Sequence, residues 1–134
     1  MFVSKMKQTK PLTRKLVSKK VNFWKKHLQL NPKWDISFIL HSTSFELPED
    51  CQNMEAYIDI ELGYWDAEIH LNGPLVNDEN IDNVIVHELL HIIVEPLDNF
   101  ALMAIPEKYH DQIRIFAESM IENLIPGIMA GTKY

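Results

Sequence analysis

The chain is short of the residues that build several protein classes. It holds one cysteine, Cys51, so no intramolecular disulfide framework can form. Four glycines and seven prolines in 134 residues exclude collagen and most linker-like sequence. No run approaches the roughly 18 apolar residues that a membrane helix requires. The opening MFVSKMKQTK has no apolar core of signal-peptide length before its lysines begin. The expectation is therefore a cytoplasmic protein with no membrane partner. Apolar residues nonetheless reach 46% against 24% charged, which excludes a compositionally disordered chain. The length suits one domain over 1–134, able to bury roughly two thirds of the surface its unfolded form exposes.

Acidic residues are missing from the first 33 positions. That segment carries ten basic side chains, from Lys5 and Lys7 to Lys33, while residues 34–134 carry three basic against all nineteen acidic. The net charge of −6 thus divides into +10 and −16. A basic tail and helix over 1–33 beside an acidic body suits nucleic acid or an anionic surface. Docking on the protein's own acidic face, or a solvated helix surface, explains it equally. The segment lacks the glycine-rich or base-stacking signature of a nucleic-acid module, which favours the last two.

Hydrophobic spacing marks an α+β chain. From about Pro11 to Leu28, Val17, Val21, Trp24 and Leu28 recur at helical intervals, with Lys15, Lys19, Lys25 and Lys26 mostly on other faces. Thr9 is the expected cap, Pro11 suits the first turn, and Asn31-Pro32 closes the helix. Trp24 and Trp34 read as core anchors rather than base-stacking platforms. Ile36–His41 reads as a strand, and Thr43–Met54 as a loop. Glu55–Leu62 alternates Tyr57, Asp59 and Glu61 against Ala56, Ile58, Ile60 and Leu62. After a bend at Gly63, Trp65–Leu71 alternates Trp65, Ala67, Ile69 and Leu71 against Asp66, Glu68 and His70. This predicts a mostly antiparallel sheet with one packed and one polar face. Asn72-Gly73-Pro74 ends it with a turn.

The period then changes. Ile81–Val94 is apolar on nearly every side, the mark of a helix inside a fold, with Pro96 as its stop. Leu97–Pro106 reads as a loop or broken segment. Lys108 to about Leu124 is an amphipathic helix with Ile113, Ala117, Met120 and Leu124 on its stripe, and Pro126 and Gly127 end regular structure.

Within the apolar helix stands His87-Glu88-Leu89-Leu90-His91, an HExxH motif. The i, i+4 spacing puts both imidazoles on one face, one turn apart, where they can converge on one metal ion. Glu88 lies about 100° further round, able to reach water beside the metal without ligating it. Zinc accepts neutral imidazole, and two histidines leave room for a third protein ligand and water. The metal would lower the pKa of the water and Glu88 would remove its proton. Every other position from Val84 to Ile93 is apolar, so two histidines and a glutamate are costly guests unless bonded. A hydrogen-bonded cluster without metal is the alternative.

The stretch Val84–Ile93 resembles the extended signature of zincin metallopeptidases. From about residue 12 to 124 the layout is similar to small zincin-like metallopeptidases of phages and other mobile elements. The resemblance implies a compact α+β fold with 65–71 as the sheet edge bordering the substrate cleft. The sheet would pack against an N-terminal helix, a buried HExxH helix and a C-terminal helix. A metzincin would continue HExxHxxGxxH, but Val94 and Leu97 occupy the glycine and histidine positions. Gluzincins take a glutamate from a later helix, with an acidic residue four positions on, and Glu118-Ser119-Met120-Ile121-Glu122 has that form. On this resemblance Glu118 is the third ligand. Glu122 matches the acid that accepts a proton from the other nitrogen of a ligand histidine.

Alternatives remain beside it. Both glutamates suit a plain helix surface. His110 is the rival third ligand, because some DNA-repair-related zincins use a histidine there. Glu95, next to Pro96, is a weaker one. His41 and His70 read as ordinary sheet residues, Tyr109 is no better placed than Tyr57 or Tyr64 to stabilise an oxyanion, and Cys51 lies in a loop. The expected activity is zinc-dependent hydrolysis of a peptide or protein substrate. The competing readings are a DNA- or protein-binding component with a structural, regulatory or vestigial metal site, and a metal-free interaction protein.

Overall fold

The computed structural model describes residues 12–30 and 32–131. Its first helix, α1 (Arg14–His27), begins where Thr13 is extended and its hydroxyl accepts the N–H of Leu16 at 3.2 Å. That bond satisfies a donor with no partner inside the helix. Thr13 is therefore the cap of α1, and Thr9 lies outside the described residues. Val17, Val21 and Trp24 are buried, so the apolar stripe faces the core.

Three strands follow, β1 (Asp35–His41), β2 (Ala56–Glu61) and β3 (Asp66–Asn72), in the order β1-β3-β2. β2 pairs with β3 antiparallel, and β1 pairs with β3 parallel. Two expectations are thereby corrected. The strand over 65–71 is central rather than an edge, and the sheet is mixed rather than mostly antiparallel. The cause lies in residues 42–55, long enough to carry the chain past one strand position before β2 begins. The short β2–β3 turn then lays β3 into the gap. Trp65 closes that turn at φ 56°, a left-handed conformation costing a non-glycine residue roughly 1–2 kcal/mol. It is held there by the Trp34 ring, edge-on at 5.3 Å, and by Lys33 Nζ 3.9 Å above its own ring.

The register aligns Ile36, Phe38 and Leu40 with Ala67, Ile69 and Leu71, and these with Ile60, Ile58 and Ala56. This apolar face joins α2 (Ile81–Ala104) in the core, where Ile69, Leu71, Ile85 and Leu89 are fully buried. Asn72 ends β3 inside the fold with its amide fully bonded. It donates to the carbonyls of Gln52 and Met54 at 3.0 Å each and accepts from Ser44 Oγ at 2.9 Å. Gly73 follows against the His41 carbonyl, where a Cβ would collide.

Both proline stops are overrun. α2 continues through Pro96 to Ala104, and α3 spans His110–Ala130 through Pro126. A proline inside a helix costs about 3 kcal/mol or more. Leu97 and Ala101 line an apolar groove with Ile113, Ala117 and Met120 of α3, while Ile128 and Met129 pack on the core. The stripe of α3 also shifts: Ile121 is its fully buried residue and Leu124 is exposed. Residues 107–109 form a separate 3-10 turn, so α3 starts two residues later than the spacing predicts. Among the described residues no helix is long and apolar enough to cross a membrane.

One charged group ties α1 to α2. Asp82 Oδ1 accepts the Trp24 indole N–H at 2.8 Å, and Asp82 Oδ2 lies 3.0 Å from Lys20 Nζ. Trp24 is fully buried, as expected of a core anchor. Removing the acceptor takes this hydrogen bond from a buried side chain, which costs roughly 1–3 kcal/mol. Asp82→Ala should lower the urea unfolding free energy by about that amount, and Asp82→Asn by less because it keeps an acceptor. Equal stability of all three proteins would exclude this account.

Candidate metal centre

The HExxH residues sit on the middle turns of α2, where the helix passes from core to cleft. His87 and His91 are half-buried, one turn apart, with ring centroids 5.2 Å from each other. α3 brings Glu118 opposite both. Its Oε1 lies 3.0 Å from His91 Nε2 and its Oε2 lies 3.4 Å from His87 Nε2. One turn further along α3, Glu122 Oε1 is 3.0 Å from His87 Nδ1. The donor atoms of His87, His91 and Glu118 all fall within 4.8 Å of one another.

These contacts fit a divalent metal. With His87 Nδ1–H donating to Glu122, the tautomer that ligates metal turns the lone pair of Nε2 toward the Glu118 carboxylate. Two electron-rich groups then face each other, and a cation between them converts repulsion into bonding. Burial pulls His91 below its ordinary pKa, against the opposing pull of Glu118, and so favours the neutral imidazole that ligates metal.

Glu88 stands apart from the three donors. It is 6% exposed, and burial, followed by the charge of Glu118, pushes its carboxyl up to about 8 from 4.5. Glu88 shares with His87, His91 and Glu118 a cleft of about 450 Å³ whose far wall is β2, through Ala56, Ile58 and Ile60. The edge strand beside the HExxH helix is thus β2.

In the metal-free protein the raised Glu88 pKa has a measurable consequence. Between about pH 4.5 and about 8 the folded chain holds a proton that the unfolded chain has released. Stability is therefore highest below that window and falls as pH rises through it, by a few kcal/mol at most. The urea midpoint of metal-stripped protein should drop between pH 5 and pH 8, and that of Glu88→Gln should drop much less. Parallel pH profiles for the two would rule this out.

The other residues singled out by sequence fall elsewhere. His110 Nε2 lies 2.8 Å from the Ile105 carbonyl at the start of α3, two turns before Glu118, and joins no donor group. Its ring is held at the α2–α3 corner, away from His87 and His91. Glu95 lines the cleft without joining the donors. Tyr57 stacks on His70, Tyr64 is exposed in the β2–β3 turn, and Tyr109 lines the apolar groove between α2 and α3. Burial raises the Cys51 thiol pKa, which disfavours a thiolate ligand. Of the basic segment, residues 1–11 lie outside the description, and Lys20 is engaged at Asp82 within the fold.

Sequence reasoning passed over a second group. Asp59, Glu68 and His70 meet on the polar face of the sheet, with donor atoms again within 4.8 Å of one another. Strand alternation places Glu68 and His70 on one face, but only the β2–β3 register brings Asp59 to them. Comparison with protein-family models, curated proteins and solved structures finds no match for this chain.

Proposed function

We propose that this chain is a zinc-dependent peptide hydrolase in which His87, His91 and Glu118 hold the metal and Glu88 moves the proton. The observation that carries the reading is the convergence of two Nε2 atoms and one carboxylate beside a buried glutamate on the wall of an open cleft. Zinc suits two imidazoles and a carboxylate, and when bound there it supplies Lewis acidity toward a carbonyl and a lowered pKa for water.

The chain's own residues account for the rest. Glu122 fixes the tautomer and ring orientation of His87. Glu88 accepts a proton from the attacking water and returns it to the departing amine. Among the described residues β2 is an edge, with main-chain N–H and C=O groups open to pairing along the cleft. An extended peptide adding there as a further strand would lie across Glu88 with alternate side chains turned toward the cleft.

The test is a peptide library incubated with the zinc-loaded chain, with new N-termini read by mass spectrometry. Cleavage above the background of the Glu88→Gln protein supports the assignment. No cleavage of any library member above that background counts against it.

A further inference from the structure

We propose that the outer face of the sheet carries a second divalent-cation site, formed by Asp59, Glu68 and His70, suited to a borderline transition-metal ion such as Zn²⁺ or Co²⁺. It is separate from the centre on α2 and α3 and does not depend on the activity proposed for that centre.

The sheet assembles the site by register. Asp59 and Glu68 are directly opposed across β2 and β3, an arrangement in which like charges destabilise a sheet. Asp35, Asp66 and Glu61 stand in line across the next position of the same face. Five carboxylates thus share one surface with no lysine or arginine on the three strands. An acidic face alone would make no site. His70 supplies what is missing.

His70 is 8% exposed, and its Nε2 lies 2.9 Å from Glu68 Oε1 and 3.3 Å from Asp59 Oδ2. Despite those distances, Nε2 is buried and has no hydrogen-bond partner among the described residues. The oxygens flank the nitrogen without accepting an N–H from it. Atoms that ligate one cation need that arrangement, since they point at a common centre rather than at each other. Ligands around a tetrahedral zinc stand roughly 3.3 Å apart at its usual bond lengths, close to these separations.

The other side of the ring fixes which nitrogen is free. His70 Nδ1 lies 2.9 Å from His41 Nε2, with the two rings only 15° from coplanar, and His41 Nδ1 lies 3.1 Å from Glu46 Oε2. Glu46 also accepts the Ser42 hydroxyl at 2.6 Å, and these two bonds hold its carboxyl below the ordinary pKa. An ionised Glu46 only accepts, so His41 Nδ1 donates to it. With both rings neutral, His41 Nε2 then accepts, His70 Nδ1 donates, and His70 Nε2 is left with its lone pair turned toward Asp59 and Glu68. Tyr57, stacked 4.4 Å away and 2° from parallel, holds the ring in that orientation. The relay does for His70 what Glu122 does for His87.

The test uses the full chain and cobalt(II), read by visible absorption and by titration calorimetry. In a His91→Gln/Glu118→Gln background, which disables the α2–α3 centre, one equivalent of Co²⁺ should still bind. Adding Asp59→Asn and Glu68→Gln should weaken that binding at least tenfold. These amides keep the shapes of the side chains and relieve the like-charge pair, so folding is retained even where His70→Gln is not tolerated. No uptake at millimolar Co²⁺ in the first background overturns the proposal, as does uptake unchanged by the amide pair. Should the unmutated protein bind a single equivalent that the amide pair abolishes, the sheet site stands and the α2–α3 centre fails.

Discussion

Glu88→Gln should reduce peptide hydrolysis about a hundredfold to ten-thousandfold, the range spanned by loss of a general acid–base group, while zinc content stays unchanged. The separation is possible because Glu88 is not among the three converging donors. It is held at 6% exposure in the α2 turn that also carries His87. Glutamine fills the same volume and places an uncharged amide where burial already resists a charge. The fold therefore loses little, and the chemistry loses its proton acceptor. Glu95 provides the internal control. It lines the same cleft, and burial followed by Asp98 raises its pKa as well, yet it sits a full turn beyond His91. Glu95→Gln should leave turnover within a few-fold of the unmutated protein. Full hydrolysis by Glu88→Gln at equal zinc content would end the mechanism, and loss of hydrolysis in Glu95→Gln alone would transfer the role to Glu95.

The parts of this molecule that were legible in the sequence are those set by one helix at a time. The spacings of His87 to His91 and of Glu118 to Glu122 are each one turn, so each pair shares a face whatever the rest of the chain does. The relation between the two helices is tertiary, and only the resemblance to gluzincins supplied it. Alternation likewise separated the buried face of each strand from its polar face, because side-chain direction has period two. Alternation says nothing about which strand lies beside which. The order β1-β3-β2 depends on how far residues 42–55 carry the chain, and with it went the identity of the edge strand and the meeting of Asp59 with Glu68 and His70. Pro96 and Pro126 misled for a related reason. A local rule gives the cost of proline in a helix, while contacts with residues distant in the chain, such as those of Ile128 and Met129 with the core, lie outside that rule.

Metal uptake by single-residue variants should separate the proposed ligands from their rivals. The Asp59→Asn/Glu68→Gln chain is the right background, because it leaves one centre to count. There, His87→Ala should abolish zinc retention through gel filtration, since it removes one of the three converging donors and takes from Glu122 its partner at Nδ1, leaving Glu118 with His91. Glu118→Ala removes a group that lies against both imidazoles, at 3.0 and 3.4 Å, and should weaken binding severely. Glu122→Gln keeps an acceptor for His87 Nδ1 but loses the charge that raises the basicity of the ring, so affinity should fall roughly tenfold to a hundredfold. His110→Ala should change nothing, because its Nε2 is taken up at the Ile105 carbonyl about two turns of α3 away from Glu118. Affinities come from competition with a chelator of known zinc affinity, and content from elemental mass spectrometry. His87→Ala and Glu118→Ala, which each remove a donor, should bind weakest, Glu122→Gln, which alters the partner of His87 Nδ1, should bind better, and His110→Ala should bind best. If His110→Ala loses zinc while Glu118→Ala retains it, the third ligand comes from the α2–α3 corner. α3 would then have to slide by about two turns relative to α2, which the burial of Ile121 in the core opposes.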